Sequence, residues 1–147
     1  MTEKTGKATS ELQLGLTYDH GTGCLQPYFD GLSAGHAIAS KCPVCGKAWF
    51  PPQAVCPDDR AETGWSRLPG SGAVVAVTTT RTRLPFTAAA EVYTFVLVAM
   101  DGAENAVFGR MQTAAEEIAA GMRVDLVAPV GEPAHPAQAV QFVAKAS

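Results

Sequence analysis

Downstream of residue 72 the chain is a series of β-branched and apolar runs. Residues 73–83 (AVVAVTTTRTR) form a long β-branched stretch, and residues 91–100 (EVYTFVLVAM) form a second, closed by an Asp101-Gly102 turn signal. Residues 105–111 read as the returning strand. Thr113-Ala114-Ala115-Glu116 has capping-box spacing, with a helical turn or two over 117–120 and Gly121 as the stop. Residues 122–130 and 138–144 supply the last strands, around a Pro- and Gly-containing loop that carries His135. Five strands with a short helix between the third and fourth is the order of an OB-fold barrel.

Upstream the pattern changes. Tyr28, Phe29, Leu32 and Ile38 fall on one face of a helix across 25–40, with Pro27 in its first turn; Gly31 and Gly35 weaken it and point to two short pieces. Residues 1–23 are polar and without sustained period, a loose arm. Leu12, Leu14 and Leu16 alternate within it, which fits either a short extended segment laid on a partner surface or a frayed tail with three stray leucines. The fold class is therefore mostly β, with an arm at 1–23, a helical segment at 24–40, a ribbon at 41–64 and a five-stranded barrel at 65–147. Trp65 to Leu68 leads into a Pro69-Gly70-Ser71-Gly72 turn.

The ribbon carries the chemistry. Cys42-Pro43-Val44-Cys45-Gly46 is followed after ten residues by Cys56-Pro57-Asp58-Asp59, so a CxxC knuckle is repeated with a carboxylate in the last place. Tetrahedral zinc suits such a set, and Cys42, Cys45, Cys56 and Asp59 are the expected ligands of a rubredoxin-like zinc ribbon, with His36 and Cys24 as substitutes for Asp59. Three other readings remain. A redox CxxC would open a helix, which Phe50-Pro51-Pro52 blocks. Disulfides would call for a secretory leader, and residues 1–10 lack an apolar core segment. A ribbon that has lost its metal is the third.

Composition narrows the function classes. At 147 residues, 47% hydrophobic and 17% charged, the chain has a globular core. Net charge −3 offers little footprint for a phosphate backbone, so no nucleic-acid partner is expected. No apolar run approaches membrane-spanning length, so the expected place is the cytoplasm.

The order Pro27-Tyr28-Phe29-Asp30-Gly31-Leu32, Cys42-x-x-Cys45-Gly46, Phe50-Pro51-Pro52, Cys56-Pro57, Trp65 and Gly70-Ser71-Gly72, followed by OB-like strands, resembles the DUF35 family over about residues 25 to 145. The resemblance implies a zinc-ribbon plus OB-fold protein associated with acyl-CoA chemistry. It further implies an accessory subunit of a thiolase-like enzyme, whose partner chain carries the catalytic Cys and His and makes the assembly at least a heterotetramer. β-Ketoacyl-CoA thiolysis is favoured over acyl transfer and retro-aldol cleavage, with an OB-fold nucleic-acid module as the outside alternative. Asp59 departs from the family's usual fourth Cys, which puts the metal in question but not the fold.

The residues agree with a non-catalytic role: no GxSxG, phosphate-binding glycine loop or HExxH occurs, and the spare Cys24 has no base beside it in sequence. For coenzyme A, Arg81 and Arg83 on one face of the first long strand, with Phe86 after it, are the candidate contacts. Solvated charges guarding a strand edge are their plainer role. Lys41 and Lys47 beside the knuckle raise the same choice.

Overall fold

The protein is described by a computed structural model over residues 9–84, 87–112, 117–131 and 138–146. A 3-10 turn, Gly23–Leu25, runs into helix α1, Gln26–Ser33, with Pro27 in its first turn, where a missing N–H costs nothing. The helix is shorter than its apolar spacing suggests. Gly35 takes φ 72°, and Ile38 already belongs to a strand, so the last residues of the segment expected to be helical are extended. Gly31 is no weak point: a Cβ there would stand 2.5 Å from Ile38 Cγ1, so glycine lets the helix lie directly on that strand.

Strands β1 (Ile38–Lys41), β2 (Ala48–Trp49) and β3 (Gly64–Arg67) make a small antiparallel sheet in the order β2-β1-β3. Trp65 thus lies in a strand of the ribbon sheet, paired with Ser40. Beyond it, β4 (Ser71–Thr82), β5 (Glu91–Met100), β6 (Ala106–Met111), β7 (Arg123–Val127) and β8 (Gln141–Ala144) close a barrel ordered β4-β5-β6-β8-β7. The β6–β8 pairing is parallel and the others are antiparallel. This is the OB-fold connectivity that the five runs imply.

Three local expectations change. The turn expected at residues 69–72 is confined to Gly70, because Gly72 is already in β4, where a Cβ would meet Val98 Cγ1 at 2.6 Å. The last two strands are shorter than their apolar runs. The capping box at residues 113–116 lies outside the described residues, as does His135, while residues 117–121 form turn and coil rather than helix. Ile118 there is buried, and Gly121 donates to the Val74 carbonyl at 2.7 Å, filling the place where β4 bulges between Val74 and Ala76.

One hydrophobic cluster runs through the molecule. Tyr28 and Leu32 of α1, Ala39, Ala48 and Phe50 of the ribbon side, and Val96, Val98, Val124 and Phe142 of the barrel all belong to it. Tyr28 packs edge-on against Phe50, and burial pushes its hydroxyl up to about 12. Asn105 completes the junction: its side-chain carbonyl accepts from the Phe50 N–H at 2.7 Å, and its amide donates to the Pro51 carbonyl at 3.3 Å. The Glu104 N–H adds a bond to the Ala48 carbonyl at 2.8 Å. The end of β5 and the start of β6 therefore hold the ribbon in place.

Candidate metal centre

Each knuckle is a turn closed on its own backbone. After β1, Cys42 N–H bonds the Lys47 carbonyl at 2.8 Å and Gly46 N–H bonds the Cys42 carbonyl at 3.1 Å; in the second knuckle Cys56 N–H bonds the Ala61 carbonyl and Arg60 N–H the Cys56 carbonyl, both at 2.9 Å. Gly46 and Arg60 hold equivalent left-handed positions, φ 74° and 58°. Glycine is at ease there; arginine is strained. Backbone N–H groups also point at the first sulfur of each turn, Val44 to Cys42 Sγ and Asp59 to Cys56 Sγ, both at 3.4 Å.

The two turns bring four side chains together. The ligand atoms of Cys42, Cys45, Cys56 and Asp59 all lie within 4.8 Å of one another. Cys42 Sγ is 3.4 Å and Cys56 Sγ 3.5 Å from Asp59 Oδ2, and Cys45 Sγ is 3.7 Å from Cys56 Sγ. A tetrahedral zinc with Zn–S of about 2.3 Å and Zn–O of about 2.1 Å has S···S edges near 3.8 Å and S···O edges near 3.6 Å. The donor set therefore fits a zinc-sized cation, with Asp59 inside the cluster. Cys24 and His36, the alternative fourth ligands, are not part of it.

Cys42 and Cys56 are buried beside Trp49, whereas Cys45 and Asp59 face out. Without metal the four groups share protons. The Asp59 carboxylate accepts from thiols, Cys45 first, and is held below its ordinary range, while the same bond pushes the Cys45 thiol up to about 12. Burial acts to raise Cys42, but backbone N–H groups of Cys45 and Val44 outweigh it, leaving this thiol lowered. A dication held by all four would displace those protons. Across the mouth, Lys47 pairs with Asp58 at 2.5 Å, an exposed bridge between the knuckles that raises the lysine.

Of the expected coenzyme A contacts, two lie within the described residues. Arg81 is exposed on β4 opposite Val92. Arg83 lies past the strand and donates from Nε to the Thr87 carbonyl at 2.7 Å, and Phe86 lies outside the described residues. Two features escaped the sequence reading. One is a cleft of about 280 Å³ between the start of the helix and the ribbon, lined by Cys24, Leu25, Val55, Glu62 and Trp65. The other is a row of rings on the outer face of β5 and β6. Tyr93 stacks on Phe95 at 6.0 Å and Phe95 on Phe108 at 5.4 Å, with the Arg110 guanidinium over Tyr93. Period-two alternation of aromatics in 91–100 is the signal that would have found it.

No family model and no curated protein matches the sequence. Solved structures do match in fold. One is a DUF35-family protein of unknown function from Sulfolobus solfataricus, 14% identical, covering 81% of this chain and 83% of its own, with a TM-score of 0.58. Another is a chain of the Ltp2-ChsH2(DUF35) aldolase, 20% identical, covering 82% of this chain and 93% of its own, with a TM-score of 0.62. The helix, the ribbon and the closed barrel together share the fold of these DUF35 proteins.

Proposed function

We propose that this chain is a DUF35-type accessory subunit of an acyl-CoA enzyme complex, with the catalytic residues on a thiolase-like partner chain. The observation that carries the reading is apolar surface left uncovered at one end. Leu12, Leu14, Leu16 and Tyr18 are 77–95% exposed, and the arm that bears them leads directly into the cleft walled by Leu25, Val55 and Trp65. Large apolar side chains at period two with nothing over them suit an extended segment laid on another protein. The likeness to a chain of the Ltp2-ChsH2(DUF35) aldolase supports work within an assembly.

The cysteines of this chain fit a supporting part. Cys42, Cys45 and Cys56 hydrogen-bond one another and Asp59, with no histidine beside them among the described residues, which suits metal ligands better than acyl-accepting nucleophiles. In the proposed complex zinc holds the two knuckles together, and the ribbon and arm cover the acyl-CoA site of the partner. Arg81, Arg83 and Phe86 stay proposed coenzyme A contacts, contributed from the end of β4 and the residues that follow it in sequence.

Two carbon–carbon cleavages suit such a complex. Thiolysis of a β-ketoacyl-CoA consumes free CoA, whereas retro-aldol cleavage of a β-hydroxyacyl-CoA does not. The likeness to an aldolase chain favours the second. The test is purification of the tagged protein from its host, with mass-spectrometric identification of bound chains, metal analysis, and assay of cleavage with and without added CoA. A thiolase-fold chain at equal stoichiometry with about one zinc per subunit is the expected result. Recovery of nucleic acid, or of the chain alone, overturns it.

A further inference from the structure

The β5–β6 ladder ends at Phe95 opposite Arg110. Beyond that pair β6 turns to bond β8, and residues 91–94 of β5 keep pairing only with β4. The strands part, and a cavity of about 230 Å³ opens between residues 91–94 and 110–112, bounded also by Val130 and Gln141. That is below the usual 300–1,000 Å³ of drug-sized pockets, a space for a small ligand.

Its polar groups are nearly all satisfied. Gln141, fully buried, accepts from the Val130 N–H at 3.1 Å and the Gln112 amide at 3.3 Å and donates to the Gln138 carbonyl at 3.0 Å; Thr94 shares a bond with Thr79 at 2.9 Å. Arg110 is the exception. Its Nε is buried with no hydrogen-bond partner, and the guanidinium forms no ion pair among the described residues; the Tyr93 ring, 5.7 Å away, is its one contact of note. A buried guanidinium Nε without an acceptor among the described residues, lining a cavity, suits a carboxylate or phosphate.

A second charge decides between them. Glu91 lines the same cavity, exposed, and takes the Tyr93 hydroxyl at 3.3 Å. With the arginine's charge already balanced by Glu91, a dianion brings a second negative charge that no further cation lining the cavity offsets, whereas a monoanion exchanges water for the arginine. Val92, Met111 and Val130 supply apolar wall around it. We propose that this gap in the barrel wall is a binding site for a small monocarboxylate with an apolar body, its carboxylate on Arg110 and its hydrocarbon or ring against Val92, Met111 and Val130. The site stands independently of the accessory-subunit reading and of the metal.

The test is NMR titration of the full 15N-labelled chain with benzoate, butyrate, acetate, inorganic phosphate and chloride at matched ionic strength. The reporter is the Arg110 Nε–Hε cross-peak, assigned by its loss in Arg110→Lys. Saturable movement by benzoate and butyrate at lower concentration than acetate, with phosphate and chloride inert, is the expected result. In Arg110→Gln the response of the Val92 and Thr94 amides should weaken about tenfold or more, while in Arg83→Gln it persists. A cross-peak that no carboxylate moves, or that chloride and phosphate move equally well, overturns the assignment. Equal response to acetate and benzoate overturns its apolar half.

Discussion

Replacing Asn105 by alanine should loosen the ribbon from the barrel. Phe50 is fully buried, and its N–H has the Asn105 carbonyl oxygen as acceptor at 2.7 Å. Truncation leaves a buried donor without a partner, which costs about 1–3 kcal/mol. The second bond, to the Pro51 carbonyl, is longer at 3.3 Å and partly exposed, and adds about 0.5 kcal/mol at most. A loss near 2 kcal/mol corresponds to a fall of about 4–8 °C in Tm for a chain of this size. Urea unfolding followed by tryptophan fluorescence is the natural assay, because Trp49 and Trp65 both lie in the ribbon sheet. Asn105→Asp keeps the acceptor but sets a second oxygen and a negative charge against the Pro51 carbonyl, so it should recover only part of the loss. A variant Asn105→Ala within about 0.5 kcal/mol of the parent would refute the junction.

Three further outcomes follow from the knuckles. In metal-free protein the raised Cys45 thiol favours the protonated cluster, so that contribution is intact below the ordinary thiol value of 9.0 and fades as pH rises toward about 12. With zinc bound the order inverts: metal competes with the thiol protons, affinity climbs with pH, and acidification releases the ion. Zinc titrations at several pH values with a chromogenic chelator would show this, and an affinity that ignores pH would contradict it. Arg60→Gly relieves a left-handed arginine for which no side-chain bond is found among the described residues. Thermal unfolding should show unchanged or higher stability, by up to about 1 kcal/mol, and a clear loss would mean the side chain does something else.

The parts of this molecule written as local periodicity were legible. Runs 73–83, 91–100 and 105–111 became β4, β5 and β6 within a residue or two, because alternation and β-branching encode a half-buried strand directly. The convergence of Cys42, Cys45, Cys56 and Asp59 was equally plain, since three cysteines and one aspartate at repeated spacing leave few ways to come together. What stayed hidden depends on distant partners. Nothing near Gly31 in sequence says that Ile38 will lie on it, so a glycine that permits close packing read as a helix weakness. Asn105 looked like the start of a strand, and its partners, Phe50 and Pro51, are more than fifty residues away. Arg110 did not stand out, because the parting of β5 from β6 arises only when β8 claims the edge of β6.

The mixed donor set bears on metal selectivity. Soft monovalent copper is held chiefly by thiolates, whereas zinc accepts carboxylate oxygen readily. Placing Asp59 3.4–3.5 Å from two of the sulfurs replaces one soft arm with a hard one, at the outward side where an incoming ion first meets the cluster. Three thiolates remain, a full set for monovalent copper, so a ribbon of this kind would give up some hold on zinc without shutting copper out, and its choice of metal would rest on which ion is supplied.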